Sequence, residues 1–181
     1  PDYMEAAKYV CAPPIRKKAD REALWEALRS GEIDTVATDH CPFTTAQKRA
    51  GQYDFTRIPG GLPGVEHRGV LLYTHGVAAG RITAPDMCRV LSENPAKLYG
   101  CWPRKGVIAP GSDGDIVVYD PSANSVITAA DQAQNVDYTP YEGWRTSGSI
   151  AQVYLRGQLA VDHGSIQNVQ GQFIPRGKNH L

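Results

Sequence analysis

The stretch TVATDHCPF, Thr35 to Phe43, sets an Asp, a His and a Cys in a row at the end of a short β-branched run. Each of these side chains can bind a metal or move a proton. In parallel α/β architectures the reacting groups gather at the carboxyl ends of strands. An Asp placed there can ligate a divalent cation, or take a proton from cation-bound water whose pKa has fallen towards ~7. A carboxylate beside that water acts as general base and passes the proton to a leaving group. On this reading Asp39 is the reacting carboxylate, and His40 is an orienting partner behind it. The same Asp would also serve as an ordinary turn residue or helix N-cap. A metal site needs three or four ligands, and the chain has neither HxH nor HExxH. His67, His75, His163 and His180 stand apart and read as surface or helix-face residues. Spacing alone therefore defines a candidate residue in a partial site.

The elements that must position Asp39 are legible on either side of it. Tyr9 to Ile15, YVCAPPI, reads as a short strand that Pro13 and Pro14 must end. Asp20 is the expected N-cap of a helix over 21–29, with Leu24, Ala27 and Leu28 on its apolar side and Gly31 as its left-handed stop. Asp34 to Thr38 is a second strand, so strand, helix and strand predict a parallel βαβ unit. Phe43 to Gly61 is a long polar loop ending in RIPGGLPG, a kind of loop that often carries function. Taken by itself, its Gly-Gly-Leu-Pro-Gly end is a tight turn.

Val65 to Gly80 returns to helical spacing, and Thr83 caps a further helix with Pro85 in its first turn. In ENPAKLYG, Asn94 is the expected N-cap, Pro95 the first helical residue and Gly100 the stop. Beyond Gly100 the chain reads as strands. These are Ile116 to Tyr119, Ser125 to Thr128, and a hairpin in IAQVYLRGQLAVDHG turning at Arg156-Gly157. PGSDGDIVV is a turn and strand rather than a phosphate loop, because its glycines precede a strand. A boundary falls near Cys101 to Lys105, and the tail from Gln167 is polar and extended.

Bulk composition narrows the function classes. The 181 residues carry 19 Lys+Arg against 19 Asp+Glu, with 41% hydrophobic and 21% charged residues. This balance excludes a generally disordered chain and argues against a nucleic-acid partner or a charge-anchored membrane protein. No apolar run is long enough to span a bilayer. Cys11, Cys41, Cys88 and Cys101 are scattered without a CxxC pair, which argues against a zinc ribbon and for reduced thiols in a cytoplasmic protein.

Five blocks together carry a family resemblance: YVCAPPIR, TVATDHCPF, DFTRIPGGLPGVEHR, NPAKLYG and KGVIAPGSDGDIVVYDP. In this order and spacing the chain resembles the C-terminal part of the dihydropyrimidinases and D-hydantoinases, which are metal-dependent cyclic amidohydrolases. The resemblance implies an α/β fold: the last strand-helix units of a (β/α)8 TIM-like barrel over 1–104, part of a β-sandwich over 105–166, and a tail over 167–181. A whole barrel needs ~250 residues.

The resemblance also implies two metal ions, usually zinc, held by an HxH pair, a carboxylated Lys, two further His and one Asp. Asp39 is the counterpart of that Asp, as metal ligand and as the residue that moves the proton. The family reaction opens a hydantoin or dihydropyrimidine ring with metal-activated hydroxide and gives an N-carbamoyl amino acid. Family members fix the ring amide, largely through backbone groups, at a Ser and an Asn whose positions here are Ala12 and Gly60. Both departures bear on which substrate fits, and Gly60 is expected to loosen its loop. Complete members are homotetramers or dimers, and the expected partner is a small cyclic diamide. A non-catalytic interaction or assembly protein of the same fold, or an inactive truncated product, is the competing expectation. The chain by itself is expected to be inactive.

Overall fold

The structure is a computed structural model that describes residues 2–181. Its first part is helical: α1 (Tyr3–Ala7), α2 (Lys18–Ser30), α3 (Thr45–Lys48), α4 (Arg68–Leu72), α5 (Ala84–Cys88) and α6 (Asn94–Leu98). Its last part is a four-stranded antiparallel sheet in the order β1 (Ile116–Val126), β2 (Arg145–Leu155), β3 (Gln158–Asp162), β4 (Ser165–Ile166). The helical part closes on a core of Leu28, Leu72, Ile82 and Val90, against which Trp25, Ile33, Val36 and Met87 pack.

Local chemistry sets most helix ends where the sequence places them. Gly31 closes α2 at φ 83° and Gly100 follows α6 at φ 67°. Thr83 caps α5, accepting the Asp86 N–H, while the Asp86 carboxylate accepts the Thr83 N–H in return. Asp20 is not the N-cap of α2. It sits inside the first turn, and its carboxylate accepts the Lys17 N–H at 3.0 Å.

Two helices widen into π-turns, Tyr73–Val77 after α4 and Arg89–Glu93 between α5 and α6. The second has a cause in the sequence. Pro95 has no N–H, so the helix cannot keep its regular ladder there. The Asn94 N–H reaches back five residues to the Arg89 carbonyl, and the Val90 carbonyl is left for another donor. That donor is the Val36 N–H, at 3.1 Å. Asn94 is thus an interior helical residue and not a cap. It is buried, and its side-chain amide donates to the Asp34 carbonyl at 3.0 Å.

The two strands expected before residue 40 do not form. Tyr9 to Ile15 and Asp34 to Thr38 are extended or irregular, and a single parallel bridge joins His40 to Leu62. A strand exists only with a partner ladder, and neither stretch has one among the described residues. The Ile33–Thr38 stretch is held from the side instead, by the bonds from Asn94 and Val90 just given and by Arg68, which donates to the Val36 carbonyl at 3.3 Å.

In the sheet, the expected strands at Ile116 and Ser125 are one long strand with register irregularities between Val118/Tyr119 and Asp120/Asn124. The β2–β3 hairpin turns at Arg156 and Gly157, both left-handed at φ 50° and 77°, as a two-residue turn requires. Gly148 (φ 77°) must be glycine, because a Cβ there would lie 2.4 Å from the Tyr119 ring. Tyr119 stacks on Tyr73 at 4.3 Å, and Thr74 accepts the Ser147 N–H at 3.0 Å, so the sheet seats on the α4 helix through its π-turn. Residues 167–181 have no regular structure and fold back on α6, where Gly177 and His180 donate to the carbonyls of Gly100 and Lys97.

Candidate functional site

Asp39 ends the extended stretch in the left-handed region, at φ 48°. Asp tolerates this backbone better than most side chains, and such residues concentrate where a fold presents a group for use. The Thr38 hydroxyl accepts the His40 N–H at 3.2 Å across this turn, which lifts Asp39 to its apex. The Asp39 side chain is exposed. His40 points elsewhere. Its Nδ1 accepts the N–H groups of Gly64 (3.1 Å) and Val65 (3.3 Å), so the neutral ring carries its hydrogen on Nε2. His40 therefore pins the 62–65 loop beside Asp39.

Ala12 and Gly60 are brought side by side. A Cβ built on Gly60 would lie 3.6 Å from the Ala12 nitrogen and 3.7 Å from its Cβ, ordinary contact distances. Position 60 thus has room for a side chain, and its φ does not demand glycine. Among the described residues neither Ala12 nor Gly60 has a backbone hydrogen-bond partner, and both are exposed. Asp39 is tied to them through its neighbours: Cys41 N–H donates to the Leu62 carbonyl, and Gly61 N–H to the Val10 carbonyl, both at 3.1 Å. Gly61 is the fixed point, since a Cβ there would stand 2.3 Å from the Cys41 carbonyl oxygen.

Sequence reasoning missed Lys48. It lies within what reads as a polar loop, yet its exposure is 0%. A lysine is almost never so buried. The loop contains α3, capped by Thr44 and Gln47 in a reciprocal pair (3.2 and 2.7 Å). This helix carries Lys48 under the site, where Nζ donates to the carbonyls of Val10 (2.8 Å), Pro59 (2.7 Å) and Gly61 (2.9 Å). Phe43 covers the ammonium at 5.6 Å. Burial pushes Lys48 below the ordinary lysine value, with Cys11 and Cys41 acting in the opposite direction. No signal in the local sequence marks it, because its partners lie up to 38 residues away.

His67 also departs from expectation. It is 7% exposed, edge-on to Tyr141 at 5.8 Å, and its Nδ1 has no hydrogen-bond partner. Burial pushes the imidazole below its usual 6.5, with Glu66 opposing. A cleft of about 630 Å³ opens between α2 and the Val36–Thr38 stretch, lined in part by Trp25, Thr38, Gly64, Tyr141 and Trp144. None of Ala12, Asp39, His40 and Gly60 lines it.

The residues present do not make a metal centre. Among the described residues no group of three or more His, Cys, Asp and Glu is placed to hold an ion. All four cysteines are free thiols. No helix among the described residues is long and apolar enough to cross a membrane.

This α/β piece with a left-handed Asp at a stapled loop cluster belongs to the amidohydrolase family, whose model matches residues 7–160. It is 48% identical to a D-hydantoinase of Streptomyces coelicolor over 97% of this chain and 38% of that protein. It is 41% identical to a D-phenylhydantoinase of Escherichia coli over 97% and 39% respectively. The solved D-hydantoinase (dihydropyrimidinase) of Thermus sp. superposes with a TM-score of 0.89 at 46% identity, covering 92% of this chain and 36% of that one. The chain thus spans under two-fifths of the length of these relatives.

Proposed function

We propose that the chain is the carboxyl-side part of a metal-dependent cyclic amidohydrolase, one that opens the ring of a hydantoin or dihydropyrimidine to give an N-carbamoyl amino acid. The observation that carries this reading is the match to hydantoinases at 41–48% identity over 97% of the chain. Residues 1–104 would supply the last strand-helix units of a (β/α)8 barrel, 105–166 part of a β-sandwich, and 167–181 a tail. Two extended stretches that have no ladder partner among the described residues support the barrel, since parallel barrel strands take their hydrogen bonds from neighbours on both sides.

Within that enzyme Asp39 carries a proton from the attacking water to the departing ring nitrogen. Ala12 and Gly60 offer free backbone donors and acceptors to the ring amide, and His40 orients the loop behind Asp39. The chain supplies too few ligands for a metal, so two zinc ions bridged by a carboxylated Lys would depend on residues outside this set. Assembly as a dimer or tetramer and a cytoplasmic location belong to the same reading.

The test is ring opening by the complete protein, measured as loss of hydantoin or dihydrouracil absorbance. Asp39→Asn should lower kcat by about a thousandfold or more, the scale of losing a general base, while thermal stability stays unchanged. No ring opening by the unmodified protein, or full activity in the Asn variant, would sink the reading. The first of these outcomes would point instead to a non-catalytic assembly protein.

A further inference from the structure

Lys48 is a buried cation whose hydrogen-bond partners among the described residues are three carbonyl oxygens, of Val10, Pro59 and Gly61. An ammonium has three hydrogens and no acceptor, so every donor is used. Burying a cation is costly and is offset only when all its bonds are made with good geometry. The three bonds thus form a clamp with one optimum, and it draws the 10–12 and 59–61 segments onto one point.

The clamp has a directional consequence. The cis peptides among the described residues are Ala12–Pro13 and Trp102–Pro103, so the peptides following Val10, Pro59 and Gly61 are trans. In a trans peptide the C=O and the next N–H point in opposite directions. With the Pro59 carbonyl turned in to Lys48, the Gly60 N–H is turned away from the ammonium, and among the described residues it has no acceptor of its own. Glycine has the widest backbone freedom of any residue, and among the described residues no other hydrogen bond reaches the Pro59 carbonyl or the Gly60 N–H, so the ammonium is what fixes that peptide plane.

We propose that Lys48 is a positioning residue of the ring-amide site: from beneath the two loops it sets the Val10–Cys11 and Pro59–Gly60 planes, and so aims the Gly60 N–H at the cyclic substrate. This rests on the reading of the chain as part of a cyclic amidohydrolase. Lys48 touches no substrate. Its effect is transmitted through backbone it holds from behind.

The experiment uses the complete protein with hydantoin or dihydrouracil as substrate. Lys48→Met keeps the length of the side chain and removes all three donors. KM should rise about tenfold or more, the scale of lost charge-assisted hydrogen bonds, with kcat held within about threefold. Hydrogen exchange should quicken at the Gly61 and Cys41 amides, whose acceptors lie in the clamped loops, and stay unchanged along α5 and α6. Lys48→Arg, which keeps the charge but offers a planar fork, should show the same split with smaller size, and it serves if the Met variant fails to fold. An unchanged KM in a folded variant overturns the proposal, as does unchanged exchange at Gly61 and Cys41. Failure of both variants to fold would make Lys48 purely structural and overturn it too. Absence of ring opening by the unmodified protein is a different failure, that of the functional reading itself.

Discussion

The two ends of this molecule satisfy their backbones by opposite means. Between Ile116 and Ile166 the four strands form a ladder in which neighbours supply one another's hydrogen bonds, with an irregular connection over 127–144. From Ile33 to Gly64 the non-helical chain has one isolated bridge and a few single backbone bonds, and long-range side-chain bonds add much of the holding. Asn94 reaches the Asp34 carbonyl, Arg68 that of Val36, Lys48 takes three carbonyls, and His40 accepts two N–H groups. A ladder spreads its stability over many equivalent bonds. A stapled loop concentrates it in a few long-range ones. Single substitutions should therefore cost the sheet stability, and cost the loop cluster geometry and thus function.

Two glycines test this contrast because each occupies a place where a methyl group will not fit. At Gly61 the obstacle is the Cys41 carbonyl oxygen, 2.3 Å from a Cβ, and that oxygen belongs to the turn behind Asp39. Gly61→Ala must push the 59–62 and 39–41 segments apart. Displacement by ~1 Å at a substrate-holding loop can remove about a hundredfold of activity, so kcat/KM for ring opening should fall on that scale. Activity within about threefold of the unmodified protein would show that the staples do not set the site geometry. At Gly148 the obstacle is the Tyr119 ring, and φ is 77°. Gly148→Ala should cost about 1–2 kcal/mol from the left-handed backbone, with overpacking added. The denaturation midpoint should drop while KM stays as it was. A raised KM there would mean the sheet reaches the site, and the contrast would fail.

The parts of the fold legible in the sequence are those whose cause is local. Gly31, Gly100, the Thr83–Asp86 cap and the Arg156-Gly157 turn each encode a backbone shape within a few residues. The parts that were not legible depend on distant partners. Asp34 to Thr38 has strand composition, yet a strand is a relation between two segments, and among the described residues no segment pairs with it in a ladder. Asn94-Pro95 carries a helix-start pattern, but the preceding π-turn absorbs the proline and the helix runs through. Lys48 looks like solvated loop because it lies between the polar Gln47 and Arg49; only folding brings the three carbonyls to it. At the site, Asp39 stood out by type and position, and Ala12 and Gly60 through the family resemblance. Their adjacency arises only in the fold, where Ala12 and Gly60 meet across a long stretch of chain.

The smallest expected effect concerns His67, which packs against Tyr141 where the loop cluster meets the later part of the chain. Its buried ring resists protonation in the folded state, whereas in the unfolded chain it titrates near 6.5. Below that pH the unfolded state binds the extra proton first. Stability must then fall as pH falls from about 6.5 towards the lower folded value, with the full penalty reached beneath it. Carboxylates held low by their partners, such as Asp86 and Asp120, lose their contribution only below the ordinary carboxylate value of 3.8, so they add nothing to the slope between pH 7.5 and 5. Denaturation followed between pH 7.5 and 5 should show a shallow loss that His67→Phe, which keeps an aromatic edge for Tyr141, removes. An equal slope in the Phe variant would assign the loss to other groups, and would place the pH-sensitive joint away from this contact between the stapled loops and the chain that leads into the sheet.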